Sequence, residues 1–187
     1  MKRETGFTLI ELLVILVMLA VMILIAMPGF SSWLPEYKLK NAVRDLYSNM
    51  QLAKMEAIKT NAQWAIIFDT GATPGKYYIC SEDGANDTWD GPAAMGGDDA
   101  LENTIDLSDY EKGITFGHGS ATQDISGGSF GSGNITYASN IALFNPKGTS
   151  NGGYVYLENN KHTTTYTIGS LTTGVILLRR WTGTAWE

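Results

Sequence analysis

Residues 7–30 form an apolar run, Phe7-Thr8-Leu9-Ile10-Glu11-Leu12-Leu13-Val14 and onward, in which Glu11 is the one charge. As a helix rising about 1.5 Å per residue, the run is roughly 36 Å long, enough to cross about 30 Å of hydrocarbon. Lys2 and Arg3 precede it, which predicts a cytoplasmic N-terminus and export of the chain beyond residue 30. A secretory signal has a shorter apolar core with a small-residue cleavage site behind it. Ala26-Met27-Pro28-Gly29 is a poor match to such a site, so the run reads as an anchor that stays in the bilayer. The small residue that stands out, Gly6, lies in front of the run. Cleavage there would fall on the cytoplasmic side and leave Phe7 as a new N-terminus.

Hydrocarbon makes an isolated charge costly, so an ionisable residue inside an anchor calls for a partner. Cleavage after Gly6 would create a positive amine at Phe7, and Glu11 lies four residues on, about one helical turn. If that amine belongs to a neighbouring subunit, the pair neutralises two costly charges and sets the register of assembly. The plainer alternative puts Glu11 in the first turn of a simple anchor, favoured by the helix dipole and wetted by headgroups. Pro28 and Pro35 each lack an N–H and crowd the preceding turn, which predicts a bend or local unwinding. Alternatively, Pro28 marks the exit from the membrane.

Lys2-Arg3-Glu4-Thr5-Gly6-Phe7-Thr8-Leu9-Ile10-Glu11-Leu12-Leu13-Val14 resembles the class III signal of type IV pilins and type II secretion pseudopilins. The resemblance implies that residues 1–6 are a leader removed by prepilin peptidase, which then methylates the amine of Phe7. It also implies other pilins or pseudopilins as partners in a filament anchored in the inner membrane. Pilin-like proteins often carry a helix-breaking proline near Pro28, where unwinding would help the helix fit a filament.

Beyond the anchor, Leu39, Val43, Leu46, Met50, Ala53 and Ala57 recur at alternating steps of four and three, which predicts one apolar helical stripe. Residues 31–61 therefore read as an amphipathic continuation of the anchor, ending at Thr60-Asn61, with its stripe laid on a β-sheet. A coiled coil is the alternative, but under three heptads is short for one. From Trp64 the period becomes two, with Trp64, Ile66 and Phe68 alternating against Ala65 and Ile67. Residues 76–81 read as the hairpin partner of that strand, and 134–144, 154–158, 163–168 and 175–181 as further strands separated by turn signals. Val175-Ile176-Leu177-Leu178 is apolar throughout and reads as central or helix-covered. The expected architecture is α+β and type IV pilin-like: a long N-terminal helix packed on one antiparallel sheet within a periplasmic domain, residues 62–187.

The formal charge of −6 and pI near 4.9 argue against a general nucleic-acid surface, which needs clustered Lys and Arg. Twelve Asp and Glu lie between Asp69 and Asp124, against Lys76 and Lys112. Most fall in residues 82–109, read as a long surface insertion. Asp83, Asn86, Asp87 and Asp90 there offer hard oxygen ligands, but their spacing does not fit an EF-hand loop, so a solvated loop and no metal site is expected. The single cysteine, Cys80, forbids an internal disulfide and reads as a small buried hydrophobe. His118 sits between glycines and His162 in a polar turn; both read as surface residues. With no nucleophile motif and no cofactor signature, enzymatic activity is not expected.

A second resemblance joins residues 39–61 and Leu143-Phe144-Asn145-Pro146-Lys147-Gly148 to the GspH/FimT branch of pseudopilins. In that branch the last strands often carry Gly-Arg-x-Arg, which in competence-type members contributes to DNA binding. Gly174-Val175-Ile176-Leu177 stands at the matching place, so both arginines are absent there. Arg179-Arg180, beside Trp181, offers a substitute. Two functions remain open on these grounds: a structural subunit of a secretion filament, or a pilus subunit that captures nucleic acid through Arg179 and Arg180. An unprocessed single-pass periplasmic protein is the third.

Overall fold

The computed structural model describes residues 6–110, 113–131, 133–162 and 164–187, and of residues 26–32 the backbone alone. The leader residues 1–5 and the Pro28 side chain lie outside the described residues. The chain divides into two units at the Leu34/Pro35 boundary.

Helix α1 spans Leu9–Thr60. Its helical residues continue through Pro28 and Pro35, so the local unwinding expected at those prolines is absent. Among the described residues no helix is long and apolar enough to cross a membrane. Within the run 7–30 the described side chains end at Ile25. In the first unit, Leu9, Ile10, Leu12, Leu13 and the residues to Ile25 are exposed on every side of the helix. A helix apolar all round needs lipid or other chains to cover it.

The second unit behaves as its periodicity predicts. Leu39, Val43, Leu46, Met50, Ala53 and Ala57 are fully buried along one face of α1. The helix stops where Asn61 takes a positive φ of 53°, a left-handed conformation that asparagine tolerates and that ends helices.

The α+β layout of an N-terminal helix followed by antiparallel strands is as expected, but the strands form two four-stranded sheets and not one. The first has the order β3-β2-β1-β5, from β1 (Trp64–Asp69), β2 (Lys76–Glu82), β3 (Ala100–Asp106) and β5 (Ile141–Phe144). The second has the order β4-β6-β7-β8, from β4 (Thr115–Phe116), β6 (Gly153–Glu158), β7 (Thr165–Ser170) and β8 (Ile176–Arg180). The α1 stripe covers both. Ile66, Phe68, Tyr77, Ile79 and Phe144 from the first sheet and Val155, Leu157, Tyr166 and Ile168 from the second share one buried cluster with it. Side chains alternate across a strand, so these residues line the two inner faces at every second position.

Three local expectations need correction. Residues 134–144 are not one strand: a 3-10 turn at Ala138–Asn140 interrupts them and only Ile141–Phe144 pairs with β1. The acidic insertion is not all loop, because β3 lies inside it and pairs with β2 at the sheet edge. An edge strand with four exposed residues needs backbone pairing more than apolar side chains, so its sequence pattern is faint. β8 is an edge strand and not central; Ile176 and Leu178 turn to the helix side, as the helix-covered alternative expects, while Val175 is exposed.

The outer face of the first sheet is also dry. Ala65, Ile67, Tyr78 and Cys80 are buried there, packed against Ile141 and Leu143 of the neighbouring strand and against Trp89. Trp89 comes from the acidic insertion, and its indole N–H donates to Gln63 Oε1 at 3.4 Å. Cys80 is thus the buried hydrophobe expected, its thiol pushed up to about 12 by burial and then by the charges of Asp99 and Glu102.

Candidate functional site

The N-terminal end of α1 carries the candidate assembly residues. Gly6 is exposed, and a Cβ built on it would meet nothing within 4 Å. The fold therefore does not demand glycine at this place, and a requirement for one must come from outside the chain. Phe7 is 79% exposed. With Ile10, Glu11, Val14 and Ile15 it lines a shallow groove of about 290 Å³ on one face of the helix.

Glu11 has a local role that its placement in an apolar run conceals. The Thr8 backbone N–H and hydroxyl donate to Glu11 Oε2 at 3.0 and 2.9 Å, and the Glu11 N–H donates back to Thr8 Oγ1 at 3.3 Å. This is a reciprocal capping box, in which the residue before the helix and the third helical residue satisfy each other's free donors. Its sequence signature is Thr8-Leu9-Ile10-Glu11, a threonine followed three residues later by glutamate, which the surrounding apolar run obscures. Carboxylate oxygens have lone pairs beyond those two bonds, so the cap leaves Glu11 able to accept an amine.

Arg179 and Arg180 occupy adjacent positions on β8 and so face opposite sides of the sheet. Arg180 lies on the helix side, where its Nη2 donates to Glu36 Oε1 at 2.9 Å. Arg179 is exposed on the other side. At Arg180 the strand edge is partly covered, since its N–H donates to Glu187 O at 2.7 Å and the Glu187 N–H returns to Arg180 O at 3.0 Å. The β7–β8 turn is held from the helix by Lys54, which donates to Gly174 O at 2.9 Å.

The outward face of α1 in the second unit is apolar as well. Leu52, Met55 and Ile58 are 41%, 58% and 49% exposed and, with Tyr47, Lys54 and Lys59, border a groove of about 650 Å³. Leu52, Met55 and Ile58 lie outside the buried stripe, whereas Tyr47 also packs against the core.

Among the candidate metal ligands, Asn86 and Asp90 are brought together, with Asn86 Nδ2 donating to Asp90 Oδ2 at 3.0 Å. Asp83 and Asp87 are not part of the carboxylate cluster that the fold assembles; Asp98 and Asp99, which no motif spacing singles out, join Asp90 in it. Burial pushes the Asp99 carboxyl above its ordinary range, opposed by backbone N–H groups and reinforced by the charges of Asp90 and Asp98. His162 is exposed as expected and its Nδ1 meets Glu158 Oε2 at 2.7 Å. His118 is half-buried instead, stacked on Phe130 at 4.0 Å and 10°. Phe130, Tyr156, Trp181 and Trp186 continue that contact across the outer face of the second sheet.

A family model for the type II transport protein GspH matches residues 42–174, and one for the prokaryotic N-terminal methylation motif matches residues 1–27. The chain belongs to the GspH family. It is a type IV pilin-like pseudopilin of the type II secretion system. No curated protein and no solved structure matches it. The GspH match takes in the α1 stripe from Val43 onward and both sheets up to Gly174, and stops before Arg179 and Arg180. The family is structural and non-enzymatic, and implies processing by prepilin peptidase and assembly with other pilins in an inner-membrane-anchored periplasmic filament.

Proposed function

We propose that this GspH protein is a minor pseudopilin, a single-pass inner-membrane protein cut after Gly6 by prepilin peptidase and methylated on Phe7. Residues 7–30 anchor it with the N-terminus in the cytoplasm, and residues 62–187 stand in the periplasm. It joins the filament through its apolar helix, with Glu11 accepting the amine of Phe7 on a neighbouring subunit and Pro28, helical in the isolated chain, letting the helix unwind there on assembly. The observation that carries this reading is an all-round apolar, exposed helix with one carboxylate a turn from Phe7. The exposed Leu52, Met55 and Ile58 supply a second surface for neighbouring subunits. Mass spectrometry of the N-terminus, in cells with and without the peptidase, tests it. Methyl-Phe7 in the first and Met1 in the second is the expected result; Met1 in both rules processing out.

Exposed Arg179 supports a second reading, capture of DNA by a pilus subunit of FimT type. Its support is thinner, because Arg180 is engaged by Glu36 and the surrounding charge is acidic. A gel shift with salt titration on the full chain separates the two. Salt-sensitive binding that disappears in an Arg179/Arg180 double alanine would favour capture.

A further inference from the structure

We propose that Asp90, Asp98 and Asp99 hold a hard divalent cation of calcium's size on the acidic insertion. One carboxylate oxygen from each of the three lies within 4.8 Å of the others. Oxygens sharing a calcium ion at about 2.3–2.6 Å are separated by no more than roughly 5 Å, so the spacing of the three is compatible with ligands on one ion.

Asp99 supplies the independent observation. It is 5% exposed, and its Oδ2 accepts from the Gly91 N–H at 2.8 Å, yet its buried Oδ1 has no hydrogen-bond partner. A buried carboxylate oxygen left unmatched is strongly unfavourable, and a bound cation removes that cost. The other carboxylates are positioned from the backbone: the Asp98 N–H donates to Asp90 Oδ1 at 3.3 Å, and the Ala85 N–H to Asp98 Oδ2 at 2.8 Å. Residues 77–111 contain no Lys, Arg or His, and among the described residues no ion pair involves these three acids.

The donor set selects the ion. Carboxylates without imidazole or thiolate favour calcium or magnesium over zinc or copper. Magnesium demands near-ideal octahedral geometry and keeps most of its water, whereas calcium accepts an irregular carboxylate cluster completed by solvent. The consequence is structural. Asp90 immediately follows Trp89, which packs against the outer-face cluster of Ala65, Ile67, Tyr78 and Cys80, so the ion would hold Trp89 in place on that face of the first sheet.

The test is calorimetric titration of calcium chloride into chelator-treated full-length protein in detergent micelles, with thermal melts in calcium and in magnesium. One saturable site is expected, with a melting temperature that rises in calcium and a weaker response to magnesium. Asp98→Asn keeps an acceptor for the Ala85 N–H and removes a charge from an exposed position, so it should fold normally and lose at least tenfold in affinity. Asp83→Asn, outside the cluster, should bind as the parent does. No binding heat and no calcium-dependent melting shift would overturn the proposal, as would equal affinity for magnesium or full affinity in Asp98→Asn.

Discussion

Thr8 and Glu11 cap each other at the start of α1, with two donors from Thr8 converging on one Glu11 oxygen at 2.9 and 3.0 Å. The same carboxylate is therefore asked to begin a helix and, in the proposed filament, to receive a charged amine. The two tasks separate by substitution. Glu11→Gln keeps an acceptor for Thr8 and loses the charge, so the helix should start normally while recovery in the filament falls at least tenfold. Glu11→Ala should lose both. Circular dichroism in micelles reads the helix, and cross-linking to neighbouring subunits reads assembly. Normal assembly of Glu11→Gln would reduce Glu11 to a cap.

The two faces of α1 should respond oppositely to truncation. Leu46 is fully buried against the sheets, so Leu46→Ala should destabilise the second unit by about 2–5 kcal/mol. At roughly 2–4 °C per kcal/mol, the melting temperature should fall by at least about 4 °C. Leu52 is exposed, and Leu52→Ala should leave stability within about 0.5 kcal/mol while weakening cross-linking to other pilins. A melting loss equal to that of Leu46→Ala would place Leu52 in the fold's own interior.

Legibility in the chain depends on where the structural information sits. Leu39 to Ala57 declared the buried stripe because one face meets protein and the other does not. β6, β7 and β8 were recognisable because alternation and turn residues coincide there. The division into two sheets was not recognisable: strand order is decided by pairing between distant residues, as when Trp64 on β1 meets Phe144 on β5. β3 was hidden because an exposed edge strand is specified by its backbone. At the candidate assembly site, Gly6, Phe7 and Glu11 stood out by type and spacing. Asp99 did not, since only the fold buries it and brings it beside Asp90.

Gly174 should tolerate no side chain. Its φ is +80°, and a Cβ there would overlap the Gly148 carbonyl oxygen, in the turn that Lys54 also holds. Left-handed strain alone costs about 1–3 kcal/mol for a residue with a side chain, and backbone overlap adds to it. Gly174→Ala should lower the melting temperature by at least about 4 °C, at roughly 2–4 °C per kcal/mol. Gly6→Ala meets open space and has an unremarkable backbone, so it should leave the melt unchanged while blocking processing by the peptidase. An unchanged melt for Gly174→Ala would mean that the two turns separate easily.

Alkaline pH should weaken the second unit in a way that one substitution can dissect. The Cys80 thiol, ordinarily near 9.0, is pushed up to about 12 by burial, and the Tyr137 hydroxyl from 10.0 to about 12 for the same reason. Both are acids whose protonated form the fold favours, so the unfolded chain releases its proton first. Stability from each is fully present below the unfolded value and declines as pH rises toward the folded one, by up to about 1.4 kcal/mol per pH unit. Denaturant melts should therefore be flat near pH 8 and fall progressively above about pH 9, first through Cys80 and then through the tyrosines. Cys80→Ala removes the first contribution while keeping a small buried residue, so its decline should begin nearer pH 10. A Cys80→Ala curve parallel to the parent's between pH 9 and 10 would show that the thiol ionises as readily inside the sheet as outside it.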